Sequence, residues 1–324
     1  MELPIANTLV SDHIIKALCN TLMHSLWQGI LLAVLSGLII VFTKKSSAAT
    51  RYNLLVAFMV LFVCGTAFTF WLQVQQSPSP GISKNSIQAA FTVPVLEQAH
   101  IAGNPATESV TGTVMSYFSA HANVIVLIWF LIICAKSVQM ASGLHTVYHL
   151  KRSKVNTIDS YWDSRIAQLA NCLGIQQAIK LMESGIAKVP MVIGHLKPVI
   201  LIPIGLINSL STDEVEAILI HELAHIQRRD YLVNILQSFM EIVFFFNPAV
   251  LWISKLIKAE RENCCDDIAV TQTSNKVNYI NALVSCQEYL NVPAYSMALA
   301  GNKNSLVNRV KRIICNCLPF AWEQ

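Results

Sequence analysis

The sequence predicts a mainly α membrane protein, with transmembrane helices at the amino-terminal end and, behind them, an α+β domain carrying a small β-sheet. Three observations carry this reading. Hydrophobic residues make up 54% of the 324-residue chain and charged residues 13%, whereas soluble globular domains average roughly 25% charged. Long uncharged runs crowd into the first 135 residues, and most of the charge lies beyond residue 150, so the two parts face different solvents. From residue 143 to residue 324 helical periodicity returns with ordinary polarity, over a length typical of one domain.

The first span is read at 21–42 (TLMHSLWQGILLAVLSGLIIVF), which holds no Asp, Glu, Lys or Arg and is long enough for a hydrocarbon core of about 30 Å. A cleaved signal peptide is the competing reading. The run exceeds the roughly 7 to 15 residues of a signal-peptide core, and a second apolar run follows closely. That second span is read at 52–72, and a third at about 117–137, centred on ANVIVLIWFLIICA. His24 within the first span is unusual for a lipid-facing position and is expected to face another helix.

Orientation follows from the bases. Lys44, Lys45 and Arg51 lie between spans one and two, and Lys151, Arg152 and Lys154 follow span three, which places both clusters on the cytoplasmic side. The connection 73–116 carries only Lys84, Glu97 and Glu108 and is rich in Pro, Ser, Gly and Thr, as suits an extracytoplasmic segment. The expected location is a bacterial cytoplasmic (inner) membrane, crossed several times, with the domain from 143 to 324 in the cytoplasm. A net charge of +4 is small and scattered, and no stretch interleaves bases with aromatics, so nucleic acid is not an expected partner. The nine cysteines show no disulfide-framework spacing and read as reduced thiols.

Within the second part, Ser160 to Leu173 reads as a helix, and VPMVIGHLKPVILIP (189–203) as a strand pair around Gly194, its prolines implying that at least one strand is an edge. Ser211 followed three residues later by Glu214 is a capping box that opens the next helix. On it sits His221-Glu222-Leu223-Ala224-His225, an HExxH pattern. Two histidines four apart share a helix face, so both imidazoles can grip one ion. Zinc favours such ligands, and the glutamate beside the first histidine stands next to the metal rather than on it, where it can take a proton from an attacking water. The apolar flanks bury the rest of that helix, and a buried imidazole without a partner is costly.

A catalytic zinc needs a third protein ligand. The segment Glu260-Arg261-Glu262-Asn263-Cys264-Cys265-Asp266-Asp267 supplies carboxylates on a second helix. Glu262 is read as the metal ligand. Asp266, four residues on and on the same face, is read as the acceptor that fixes a ligating histidine's tautomer. A solvated charged helix end is the bland alternative. Between the two motifs, residues 231–257 are apolar but interrupted by Asn234, Gln237, Glu241 and Asn247-Pro248. Pro248 should end one helix and open another, giving a hairpin that either enters the bilayer surface or packs as ordinary core.

HELAHIQRRD (221–230) followed by FFFNPAVLWISKLIKAERENCCDD (244–267), with HSLWQG (24–29) and PMVIGHLKPVILIP (190–203), resembles the BlaR/MecR-type membrane zinc metallopeptidases. The resemblance covers about Thr21 to Arg312. It implies a gluzincin-like zincin domain on the cytoplasmic side, with one zinc ion per chain held by His221, His225 and Glu262, and Glu222 as catalytic base. It implies an endopeptidase in transmembrane signalling, whose protein or peptide substrate is a cytoplasmic regulator, a transcriptional repressor being the candidate, or the chain itself. Asp266 gains support from a wider likeness to CAAX-processing proteases. Met191, Val192, Ile193 and Gly194 are implied as an edge that pairs with an extended substrate. A homodimer is an open arrangement. The best-known members continue past the peptidase into a β-lactam-binding domain. This sequence ends at Gln324 with no SxxK in a plausible sensor domain, so a member lacking the penicillin-binding sensor is expected. The rival functional class is a non-catalytic receptor or scaffold that zinc only stabilises.

Other candidates are weaker. His145 and His149 are four apart but lack an intervening Glu, and read as a juxtamembrane helix. Cys315 and Cys317 make a poor metal pair without further ligands, and Cys264 and Cys265 read as small packing residues. Arg309, in LVNRVKRI, resembles an Arg near the end of related peptidase domains that could reach the active site, though a solvated basic face is the preferred reading. The topology is open to test by thiol labelling in intact cells. Single cysteines placed near Ser86 should react with a membrane-impermeant reagent added outside, and labelling only from the cytoplasmic side would reverse the orientation.

Overall fold

The computed structural model describes residues 3–75, 117–118, 120–150, 155–194, 197–273, 275–290 and 303–315. The 73–116 connection from residue 76 onward, the bases Lys151, Arg152 and Lys154, the side chain of His149, and Cys317 lie outside the described residues.

The chain is mainly helical. Its first three long helices are α1 (Leu3–Phe42), α2 (Ala48–Gln75) and α3 (Ala122–Leu150). Each holds a stretch long and apolar enough to cross a bilayer, Asp12–Phe42, Ala48–Gln75 and Ala122–Thr146. These helices overrun the apolar runs read from the sequence, and the third begins five residues later than the expected 117. The overrun has a simple cause. A helix satisfies its backbone internally, so Lys136, Ser137 and Gln139 end the apolar run without ending the helix. His24, half-buried, accepts at Nδ1 from Trp27 Nε1 at 3.0 Å, one turn along its own helix.

Two compact units emerge, Met1–Gln28 with Phe62–Cys134, and Gly29–Leu61 with Ala135–Gln324. In the first, polar side chains link α1 and α2: Gln28 Nε2 donates to Thr69 Oγ1 at 2.9 Å, and Asn20 Nδ2 to Gln73 Oε1 at 3.4 Å. Such bonds hold apolar helices together where water exclusion cannot.

The second unit contains β1 (Val155–Thr157), α4 (Ser160–Cys172), β2 (Lys180–Ser184), β3 (Met191–Ile193), β4 (Val199–Pro203), α5 (Leu206–Ser209), α6 (Thr212–Gln227), α7 (Asp230–Val243), α8 (Pro248–Gln272), α9 (Lys276–Leu290) and α10 (Lys303–Cys315). The strands form one mixed sheet in the order β1-β2-β4-β3, in which β2 and β4 run parallel. The strand pair around Gly194 is present: β3 and β4 are antiparallel, with Met191 opposite Leu201. Gly194 has φ 89°, a left-handed conformation that only glycine adopts freely. As the prolines imply, β3 is an edge.

β4 is buried along its whole length, and its alternating side chains serve two cores. Ile200 and Ile202 pack with Trp162 and Ile166 of α4, Leu219 and Leu223 of α6, and Tyr279 of α9. Val199 and Leu201 face the other way, onto Ala187 and Ile193. α6 opens with the expected capping box, Glu214 N–H donating to Ser211 Oγ and Ser211 N–H to Glu214 Oε2. Its residues Ala217 to Ala224 are all buried, so the HExxH segment is part of the core.

The break at Asn247-Pro248 also forms. Asn247 Oδ1 accepts from Ala249 N–H at 3.1 Å and caps α8, with Pro248 in its first turn. Of the polar residues that interrupt 231–257, Asn234 is exposed at the cleft, whereas Gln237 and Glu241 face inward along the α7–α8 seam: Gln237 Nε2 donates to Ser254 O at 2.9 Å, and Lys258 Nζ to Glu241 Oε1 at 2.7 Å. At the base of this hairpin, Arg51 Nε of α2 donates to Glu260 Oε1 at 2.9 Å, both side chains buried, while Arg51 Nη1 bonds Ser46 O at 2.7 Å. Breaking a buried pair from one side strands the other charge and costs about 3 to 5 kcal/mol. Arg51→Met should therefore lower the thermal midpoint in detergent markedly, and Arg51→Met/Glu260→Met should recover most of the loss. A double variant no better than the single would show that the pair is not what the site depends on.

Candidate metal centre

α6 supplies two imidazoles one turn apart, His221 and His225, with ring centroids 5.0 Å apart and planes at 89°. α8 packs against α6 and brings Glu262 Oε2 to 3.6 Å from His221 Nε2. One donor atom from each of the three lies within 4.8 Å of the others. The sequence reading thus named three residues that the fold does bring together, although 37 positions separate His225 from Glu262 in the chain. The Glu262 side chain is 29% exposed and borders a cleft of about 1020 Å³ that Glu222 also lines.

Each imidazole is oriented by its other nitrogen. Tyr279 O–H donates to Asp266 Oδ1 at 2.6 Å, so its oxygen accepts from His221 Nδ1 at 2.9 Å. Asp266 itself is 3.5 Å from His221 Nδ1. The expected Asp–His contact is therefore relayed through a tyrosine. Asp266 is fully buried and receives two bonds from Arg309, Nε to Oδ2 at 3.0 Å and Nη2 to Oδ1 at 2.5 Å. Arg309 is thus not on a solvated basic face: α10 turns it inward because a buried carboxylate requires a charged partner. On the other side, His225 Nδ1 donates to Asp230 Oδ2 at 2.8 Å. Arg229, the only described non-glycine residue with positive φ (55°), makes the turn from α6 that aims Asp230 back at it. Both imidazoles therefore keep Nε2 available as a ligand atom.

Electrostatics support the same division of roles. Burial works against ionisation of Glu262, but His221, whose Nε2 lies 3.6 Å away, and the charges of His225 and Arg309 hold its carboxyl well below the usual range. Burial likewise opposes ionisation of Asp266 and is overcome by Arg309. For Glu222 burial dominates and raises the carboxyl, against the pull of His221 and His225. Burial alone would lower His225, yet the bond to Asp230 and nearby Glu222 and Glu262 raise it. A cation in the site would take the place of the imidazole protons.

A second cluster, His225, Asp230 and Cys265, also places three donor atoms together. It suits a metal poorly. Cys265 has no exposure, and burial, then Asp230 and Glu262, push its thiol far up, so it stays a proton donor, 3.6 Å from Asp230 Oδ2. Neighbouring Cys264 is pushed up to about 12, first by burial. Both are packing residues. In contrast, two imidazoles with Nε2 available and an ionised carboxylate that open to a cleft fit a divalent transition metal.

A family model described as BlaR1 peptidase M56 matches residues 19–313. The chain belongs to this family. M56 membership indicates a metallopeptidase, and with the three apolar helices it places the protein at a membrane. Among curated relatives, the regulatory protein BlaR1 of Bacillus licheniformis is 32% identical over 146 residues, 44% of this chain and 24% of that protein. The methicillin resistance mecR1 proteins of Staphylococcus aureus and Staphylococcus epidermidis are 30% identical over 131 residues, 38% of this chain and 22% of theirs. The match thus spans less than a quarter of the length of these relatives.

Of the expected edge-strand residues, Met191, Val192 and Gly194 line the cleft. Ile193 instead is buried in the small core behind the sheet, on the same strand face as the partly buried Met191 and opposite to Val192, so only its backbone can serve the edge. Tyr279 and Asp230 were not singled out by sequence reasoning. Asp230 ends the quoted HELAHIQRRD motif, a signal that could have found it; Tyr279, on a separate helix, carries none. Their roles can be measured together. Tyr279→Phe and Asp230→Asn should each weaken metal retention against a competing chelator by roughly ten- to a hundredfold while leaving the helical circular-dichroism signal intact. Unchanged affinity in both would remove them from the centre.

Proposed function

We propose that this chain is a membrane-embedded zinc metalloendopeptidase that cuts a cytoplasmic regulatory protein, or itself, in transmembrane signalling. The observation that carries the reading is Glu222: a carboxylate raised by burial, beside two oriented imidazoles and lining the cleft that Glu262 borders. A site serving only stability needs no base beside an open position, which weighs against a zinc-stabilised receptor or scaffold. Zinc is favoured over harder cations by the nitrogen-rich donor set of His221, His225 and Glu262. The domain from 143 onward is read as a gluzincin-like zincin on the cytoplasmic side, with Asp266 in support of the ligands.

Zinc held there would supply Lewis-acid polarisation to the peptide carbonyl and acidity to the attacking water. The chain's own residues do the rest. Glu222 takes the proton from the water and passes it to the leaving amine. Met191, Val192, Ile193 and Gly194 lie along the edge strand of the sheet among the described residues, so an extended substrate would bind by backbone pairing, its side chains selected by the cleft. The relatives' names, a regulatory protein and methicillin resistance proteins, support signalling as the context; a transcriptional repressor as the substrate is what the family resemblance implies.

The test separates binding from chemistry. Glu222→Gln should keep near-normal zinc by elemental analysis while abolishing cleavage of a co-expressed substrate, since the amide cannot accept a proton at neutral pH. His225→Ala and Glu262→Ala should lose metal and cleavage together. Wild-type cutting by Glu222→Gln would remove the base from the mechanism, and zinc retained in Glu262→Ala would show that another group is the third ligand.

A further inference from the structure

α7 is strongly two-sided. Its inner face carries Gln237 and Glu241 into the seam with α8, and its outer face leaves Leu232, Ile235 and Phe239 exposed at 53%, 64% and 55%, Ile235 also bordering the mouth of the cleft. The spacing of three and four residues makes this a continuous apolar stripe, larger than isolated surface apolar residues require. Two sets of contacts say what covers it. At the open end of the hairpin, Arg51 pairs with Glu260 and Tyr52 O–H reaches Asp230 Oδ1 at 3.5 Å, next to the turn that joins α1 to α2. At the closed end, Asn247 packs so tightly on Gly29 that a Cβ there would meet its side-chain nitrogen at 2.5 Å.

Gly29 lies near the middle of the Asp12–Phe42 span, about 20 Å along the axis from Phe42 at about 1.5 Å per residue. α7, and α8 from Pro248 to Glu260, are each about 20 Å long by the same rise. The hairpin therefore runs beside the span from one membrane face to mid-depth. We propose that the α7–α8 hairpin is inserted in the bilayer, with its 244–247 tip at the level of Gly29 and the Leu232, Ile235 and Phe239 stripe against lipid acyl chains.

Most of the polar inventory fits this environment; the exceptions, exposed Asn234 and Lys255, lie four and five residues from the Asp230 and Glu260 ends of the hairpin, near the membrane face, where a lysine stem can carry its charge to water. Glu241 bonds Ser254 and Lys258 and lies within electrostatic reach of Lys136, a charge near the middle of the third apolar stretch. Charges below a membrane surface are found paired in this way. Asn247 turns its side-chain oxygen onto its own helix, which satisfies backbone groups that lipid could not. The inference is independent of any metal.

Photolabelling tests it. The full chain is reconstituted in phosphatidylethanolamine and phosphatidylglycerol vesicles doped with a phospholipid bearing a diazirine at the acyl-chain end, irradiated, digested and analysed by mass spectrometry. Adducts are expected on exposed Phe239 at yields like those on exposed Leu61 of α2, and at lower yields, still above background, on the half-buried Phe245 and Phe246 of the tip, with none above background on α4. Gly29→Leu should cut tip adducts at least fivefold by displacing Asn247, whereas Gly37→Leu, which has open space around it, should not. Hairpin yields no higher than α4, or adducts on Leu232 without the tip, would overturn insertion to this depth. Unchanged tip adducts in Gly29→Leu would overturn the contact that sets it.

Discussion

Asp266 is the carboxylate on which the site's geometry depends. It has no solvent exposure, and a bare carboxylate there would be untenable. Four helices contribute to its satisfaction: it sits on α8, Arg309 reaches it from α10 with two hydrogen bonds, Tyr279 donates from α9, and His221 stands behind the tyrosine on α6. Because each of these partners is itself buried or half-buried, moving one helix leaves a charge or a donor without its partner. The cluster thus fixes the rotation of α8 relative to α6. That rotation sets the separation between Glu262 and His221.

The second imidazole is held from a different direction. His225 leans on Asp230, which also forms an ion pair with Arg228, Nε to Oδ1 3.3 Å, and the Arg228 guanidinium lies 4.6 Å over the ring of Tyr52. Tyr52 belongs to α2, and its neighbour Arg51 holds Glu260, two residues before Glu262. Both helices that present the three donor atoms are therefore braced by the Arg51-Tyr52 end of an apolar helix. The compact unit that contains the site accordingly includes residues 29–61 as well as the domain itself. Such bracing makes the position of α2 part of the geometry at the donor atoms, since long charged and aromatic side chains transmit displacement when both ends are packed.

What the sequence by itself determined is local or periodic. Apolar runs marked three helices suited to a bilayer, Ser211 and Glu214 marked where α6 begins, Pro248 marked the break in the hairpin, and spacing alone put His221 and His225 on one face. Each of these follows from covalent geometry or from the 3.6-residue period, which act within a few residues. The tertiary structure decided the rest. It turned Arg309 inward, although its helix reads as solvated and basic, and it set Tyr279 between His221 and Asp266. It also paired β2 with β4 in a sheet whose short strands carry little periodicity, and seated Asn247 on Gly29. Periodicity reports which face of a helix is apolar but not what that face will meet. Partners more than 200 positions apart, such as Gly29 with Asn247 or Arg51 with Glu260, are chosen only when the helices pack and every buried polar group must find its complement.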